Sequence, residues 1–144
     1  MESKSAQTAT LAAELRLAVT RTARRLRVQA ASPLSASLTA ALATVANHGP
    51  ITPSELALRE GVRRPTATKL VAGLEAEGLV TRTDDVHDAR SVLIAATAAG
   101  RDVLAEGRAR KDEFLAERLE TLPAGDLRTL ERAAQLLQEL TDPR

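Results

Sequence analysis

Arg63, Arg64, Pro65, Thr66, Thr68 and Lys69 crowd cationic and hydroxyl groups into one short run. Arginine presents a rigid fork of donors that matches a phosphate, lysine a point charge, and a threonine hydroxyl a single donor for a phosphate or a base edge. His87, Asp88 and Arg90 form a second group, in which a carboxylate stands between an imidazole and a guanidinium. Neither group sets a nucleophile beside a base, and neither carries a glycine-rich phosphate loop. The carboxylates elsewhere fall in helix-face charge patterns. An enzyme is therefore not expected, and the chemistry on offer is reversible capture of a polyanion.

The segments around these residues have to aim them. Ile51-Thr52-Pro53-Ser54-Glu55 is the clearest local signal, with Thr52 as a cap, Pro53 at the first helical position and Glu55 three residues on to close a capping box. Gly61 breaks that short helix and Val62 plugs the turn. From about Arg64 to Glu77, Ala67, Leu70, Val71 and Leu74 fall at helical spacing and form a buried stripe. The opposite side carries Pro65, Thr68, Lys69, Ala72, Gly73 and Ala76. Such a small, lightly polar face lets the helix axis approach a partner closely, as insertion into the major groove of DNA requires. Arg63 and Arg64 stand at its N-terminus, where the helix dipole and free amides already favour phosphate. Gly78 ends the helix. Leu79 to Thr83 and Arg90 to Ala95 are strand-like, and Asp84 to Ala89 reads as a polar loop between them. Asp88 and Arg90 are either a weak surface ion pair or a device in which Asp88 orients the chain while Arg90 enters the minor groove.

Helices flank this unit. Leu11, Leu15, Ala18, Thr22 and Leu26 stripe a first helix from about Thr8 to Ala30, whose other face holds Arg16, Arg21, Arg24, Arg25 and Arg27. That arginine face reads as solvated, as a phosphate contact, or as the wall of a pocket for an anion. Ser32-Pro33 ends it. Ser35 can cap a second helix, which Asn47-His48-Gly49-Pro50 stops, with Asn or Gly in a left-handed C-cap. Thr97 can cap a long helix to about Thr121, and Leu127, Leu130, Ala134, Leu137 and Thr141 stripe a last one. Terminal apolar stripes with little to cover them suggest a helical dimer interface.

The order of elements is a mainly α (α+β) fold: a winged helix-turn-helix with a two-stranded β-hairpin wing and long N- and C-terminal dimerisation helices. With no internal repeat or linker, residues 1–144 are expected to form a single domain. Residues from about 8 to 48 and 98 to 142 would serve dimerisation, and about 50 to 97 would form the winged unit.

Composition narrows the function further. Hydrophobic residues are 44% and aromatics 1%, with Phe114 alone, which favours helix and weakens any single-strand nucleic-acid reading built on stacking. The net charge of +1 requires any basic surface to be local. The absence of cysteine excludes disulfides, thiol redox sensing and cysteine metal sites. His48 and His87 lie far apart, so neither metal nor cofactor is expected. The start, Met1-Glu2-Ser3-Lys4-Ser5, is polar and no apolar run reaches membrane-spanning length, so a soluble cytoplasmic protein is the expectation.

The run from Val62 to Arg82, ending Leu74-Glu75-Ala76-Glu77-Gly78-Leu79-Val80-Thr81-Arg82, resembles the recognition helix and first wing strand of the multiple-antibiotic-resistance regulator (MarR) family. Asp88-Ala89-Arg90 and Thr97-Ala98-Ala99-Gly100 are similar to that family's wing signature, and with the flanking helices the resemblance covers nearly the whole chain. It implies a homodimeric transcriptional regulator, usually a repressor, on palindromic double-stranded DNA. It also implies a cleft where a small-molecule effector, often an aromatic anion, releases DNA. By the same resemblance Thr66, Thr68 and Lys69 would face the major groove and Arg90 the minor groove. Arg63 stands where the family commonly has a serine or threonine cap, Pro65 where it has serine, and Ala95-Ala96 where leucine usually precedes the threonine. Direct readout would then rest on few side chains, with more of the binding on Arg63 and Arg64. The lightly charged reading face and near-neutral total also fit a winged-helix protein-interaction module without DNA binding, which would show no salt-dependent duplex binding.

Overall fold

The computed structural model describes residues 3–141. Met1, Glu2 and the expected end of the trailing helical region at residue 142 lie outside them. The elements run α1 (Lys4–Gln29), α2 (Ala36–His48), α3 (Pro53–Glu60), α4 (Arg64–Ala76), β1 (Val80–Asp85), β2 (Asp88–Ala96), α5 (Ala98–Leu119) and α6 (Ala124–Thr141). This is the mainly α, winged helix-turn-helix order expected from the sequence.

Local chemistry starts most of these helices. The Ser35 hydroxyl accepts from the Leu38 amide at 3.2 Å, and Thr52 from Glu55 at 3.1 Å. Only half of the expected capping box forms, because the Glu55 carboxylate turns to Arg59, one turn on, at 3.3 Å. The first helix begins earlier than its apolar stripe, at Lys4, because Ser3 caps it. Gly61 ends α3 in the left-handed region at φ 64°, which glycine adopts without a Cβ clash. Gly49 does not take that conformation; its φ is −70°. A Cβ there would lie 2.4 Å from the Val45 carbonyl oxygen, so closeness of backbone, not dihedral freedom, demands glycine.

The core lies where α2, α3 and α4 meet the root of the hairpin. Leu42, Val45, Ile51, Leu56, Val71, Leu74 and Ile94 are fully buried there. Ile51 pairs with the other edge of β2 as a single isolated bridge: its amide donates to the Ile94 carbonyl at 3.0 Å, and the Ile94 amide donates back at 2.7 Å. Burial of about 2 kcal/mol per large aliphatic side chain at this junction fixes α4 against the hairpin.

α1 and α6 have no such cover. Neither contains a buried residue. Leu11, Leu17, Val19 and Val28 on α1, and Leu127, Leu130, Leu136 and Leu140 on α6, are exposed. Between α1 and α2, Ala31 carries a φ of 46°. That conformation costs an L-residue about 1–2 kcal/mol, more than the entropy that glycine would forfeit. Ala31→Gly is expected to stabilise the fold by about 0.5–1 kcal/mol, read as a raised denaturant midpoint at fixed protein concentration. A lowered midpoint would contradict the strain.

Candidate nucleic-acid interface

All nine residues singled out from the sequence are exposed. On α4, Ala67, Val71 and Leu74 bury one side, as the spacing predicts. Arg63 occupies the N-cap in extended geometry, and no side chain caps this end. Pro65 has no amide to satisfy, which leaves the amides of Arg64 and Thr66 open beside two guanidinium groups. Free amides and added positive charge are the features that suit a helix terminus to an anion.

The outer face differs from expectation at two positions. Gly73 turns toward α2: a Cβ there would sit 3.2 Å from Leu38 Cδ2. It is a packing glycine, and the outward face is Pro65, Thr68, Lys69, Ala72 and Ala76. The Thr68 hydroxyl donates to the Arg64 carbonyl at 3.0 Å. Its single proton is engaged inside the helix, so donation to a partner would cost that bond, whereas its lone pairs are free to accept. Thr66 has no such bond among the described residues. Thr66→Val is therefore expected to weaken duplex binding about tenfold, the worth of one polar contact, and Thr68→Val less than threefold. Equal losses in a binding titration would overturn this division.

The wing is longer and its tip tighter than the expected loop. β1 and β2 pair regularly from Val80↔Ala96 to Asp84↔Val92, after which Asp85 pairs with Asp88. Asp84, Asp85, Asp88 and Ala89 thus belong to strands, and only Val86 and His87 form the turn. The jump in register leaves Ala89, Arg90 and Ser91 without cross-strand partners. Two aspartates hold this irregular tip. Asp85 Oδ1 accepts from the His87 amide at 2.9 Å, and Asp88 Oδ1 accepts from the Arg90 amide at 3.0 Å. Asp88 therefore holds the backbone at Arg90, and the surface ion pair that the spacing also allowed does not form among the described residues. Neither ion pair among the described residues involves Arg90, whose guanidinium is unengaged.

Two side-chain contacts join helix and wing, and sequence reasoning found Thr97 as a helix cap but paired neither Arg82 with Glu75 nor Thr97 with Gly78. Arg82 Nε on β1 lies 2.8 Å from Glu75 Oε2 near the end of α4. The Thr97 hydroxyl donates to the Gly78 carbonyl at 2.7 Å and accepts from the Gly100 amide at 3.0 Å. One side chain thereby ties the end of α4 to the start of α5. The motif Thr97-Ala98-Ala99-Gly100 was the available signal, since its threonine and glycine are the two bonded partners.

Behind the reader, α1, α2 and α5 enclose a cavity of about 440 Å³ whose wall includes Leu26, Arg27, Ala30, Leu34, Ala40 and Lys111. Its lining is mainly aliphatic with two cations. Arg110 on α5 donates to the Ala30 carbonyl at its edge, joining α5 to the end of α1.

A capped helix-turn-helix, an exposed second helix and a β-hairpin wing define a winged helix-turn-helix transcriptional regulator. Residues 34–92 match the family model described as the MarR family. Over 135 residues the chain is 42% identical to an HTH-type transcriptional regulator of Mycobacterium tuberculosis (strain CDC 1551 / Oshkosh), covering 93% of this chain and 94% of that relative. Among solved structures, a transcriptional regulator from Pseudomonas aeruginosa superposes with a TM-score of 0.86 at 33% identity, covering 96% of this chain and 98% of that one. A MarR family protein from Bacillus stearothermophilus gives 0.79 at 26% identity, covering 98% and 100%. The chain belongs to the MarR family.

Proposed function

We propose that the protein is a homodimeric, sequence-specific DNA-binding regulator that acts as a repressor on a palindromic operator. The observation that carries this reading is the exposed α4, whose uncapped N-terminus holds Arg63 and Arg64 and whose outward face is small around Lys69. Residues of that size allow the helix into the major groove, and the open amides and guanidinium groups take the phosphates at its mouth. The wing adds Arg90, a charge suited to the minor groove. The uncovered leucines of α1 and α6 supply an apolar surface for a second copy, which would set two readers about one helical turn apart.

The cavity between α1, α2 and α5 supports release by a small molecule. Arg27 and Lys111 on a mostly aliphatic wall suit a hydrophobic anion. Because α5 is joined both to that cavity and to the wing root, an occupant that shifts α5 would shift the wing.

The test is selection from a random duplex pool, followed by titration of the winning sequence. An inverted repeat should emerge, and its affinity should fall by at least about tenfold between 50 and 200 mM salt, through release of counterions from neutralised phosphates. A pool that shows no enrichment at low salt would reject the reading.

A further inference from the structure

The wing leaves the body of the protein at one rung of the hairpin, Arg82↔Ile94. Ile94 is fully buried, whereas no residue from Thr83 to Leu93 is buried. Both edges of the hairpin are anchored at this rung. On the outer edge of β2, Ile94 is held by its two backbone bonds to Ile51. On β1, Arg82 Nε is held by Glu75 Oε2 of α4 at 2.8 Å. Of the two ion pairs among the described residues, Arg59–Glu55 lies within α3, so Arg82–Glu75 alone joins two elements. It spans the turn from α4 into β1, which bends at Gly78 with a φ of 70°. The Thr97 hydroxyl secures the Gly78 carbonyl below this rung, and nothing lies within 4 Å of where a Gly78 Cβ would stand.

The two side chains of the pair are 40% and 44% exposed. A pair so open to water adds little to folding stability. The angle of the wing is a different quantity. A segment with few buried contacts moves at little cost, so a weak contact can decide where it points. Glu75 also stands seven residues beyond Thr68, about two turns along the same side of α4. An acid bordering the outward face would repel phosphate, and Arg82 offsets that charge while tying it to the wing.

We propose that Glu75 and Arg82 are positioning residues whose ion pair sets the angle between the wing and α4, and so where Arg90 falls relative to the outward face of that helix; the inference rests on the DNA-binding reading above. Ile51 fixes the β2 edge, and the pair fixes the β1 edge. Without the pair the hairpin pivots on β2 alone. Neither residue has to touch DNA.

Titration of the full-length protein against the selected duplex separates this role from plain charge, because the two differ in sign. Removing an acid would by charge alone tighten binding to a polyanion. Glu75→Gln is expected to weaken it about fivefold, the scale of one exposed pair in each of two wings. Glu75→Gln/Arg82→Gln keeps the net charge and should weaken binding equally, with the log–log salt slope unaltered. In an Arg90→Ala background, Glu75→Gln should cost less than about twofold, because the wing then has no contact to aim. Tighter binding by Glu75→Gln would overturn the proposal. A slope lowered by about two units in the double variant would make Arg82 a phosphate contact and overturn it as well. So would a fivefold loss that persists without Arg90, since the pair would then act through α4.

The angle is also measured with no DNA present. The chain has no cysteine, so Ala72→Cys on α4 and Thr83→Cys on β1, both at exposed positions, each take one spin label. Dilution with unlabelled protein leaves labels on one chain of any assembly. The distribution of distances between the labels is expected to broaden when Glu75→Gln is added, and an unchanged distribution overturns the proposal. A protein that bound no duplex would sink the DNA-binding reading, while these distances would still judge the pair, so the two fail separately.

Discussion

Replacing Arg90 by alanine is expected to lower affinity for the selected duplex by one to two orders of magnitude while leaving the thermal midpoint unchanged. The loss reflects the worth of a specific groove contact, about 1–3 kcal/mol for each wing. The fold should not respond, because Arg90 is exposed and has no cross-strand partner in the hairpin. Its amide bond to Asp88 uses the backbone, which alanine keeps. The log–log salt slope should fall by about one unit for each arginine removed, hence by about two in a dimer. Discrimination for A·T-rich flanks should weaken too, since a narrow minor groove attracts arginine. Fluorescence anisotropy at four salt concentrations measures all of this. An unchanged slope and affinity would remove the wing from the binding surface.

Gly100→Ala is expected to cost stability instead. A Cβ at Gly100 would lie 2.2 Å from the Leu79 carbonyl oxygen and 3.1 Å from Leu42 Cδ1. The oxygen belongs to backbone that also accepts from the Thr97 amide, so it cannot move without breaking the joint between hairpin and α5. Overpacking of this kind costs about 3 kcal/mol, a fall in Tm of roughly 10 °C for a chain of this size. Gly107→Ala gives the contrast within the same helix. Nothing lies within 4 Å of a Cβ there, and alanine is the better helix former by about 1 kcal/mol. Calorimetric scans at equal protein concentration should therefore move in opposite directions. Two variants that melt together would show that the α5 start tolerates a side chain.

What the sequence disclosed follows from how local each cause is. Ser35, Thr52 and Thr97 cap helices through bonds spanning three residues, so type and spacing alone identified them. The α4 stripe was equally plain, because helical periodicity reports which side is buried. The wing ladder was less so. Asp84 and Asp85 have poor strand propensity, yet cross-strand partners Val92 and Asp88 hold them in the ladder. The Ile51–Ile94 rung joins residues far apart in the chain and leaves no periodic trace. Gly73 looked like part of a small outer face, and only the position of Leu38 shows that it packs inward. The Thr68 hydroxyl carried no sign in the sequence that its proton was already committed. In each case the residue type was read correctly and the partner was not, since partners are set by tertiary packing.

The placement of the register break has a consequence for descent. The five rungs from Val80↔Ala96 to Asp84↔Val92 are regular, and the irregular part is confined to the residues beyond them. The tip, from Asp85 to Ser91, can therefore be rewritten without disturbing any buried side chain. Regulators that arise by gene duplication need to stop competing for one another's operators before they can acquire separate targets. On the proposed role of the wing, a hairpin of this build would let that divergence begin in a seven-residue cassette, with α4 and the core still unaltered. Exchanging the cassette between relatives is then expected to give hybrid operator preferences on a common scaffold.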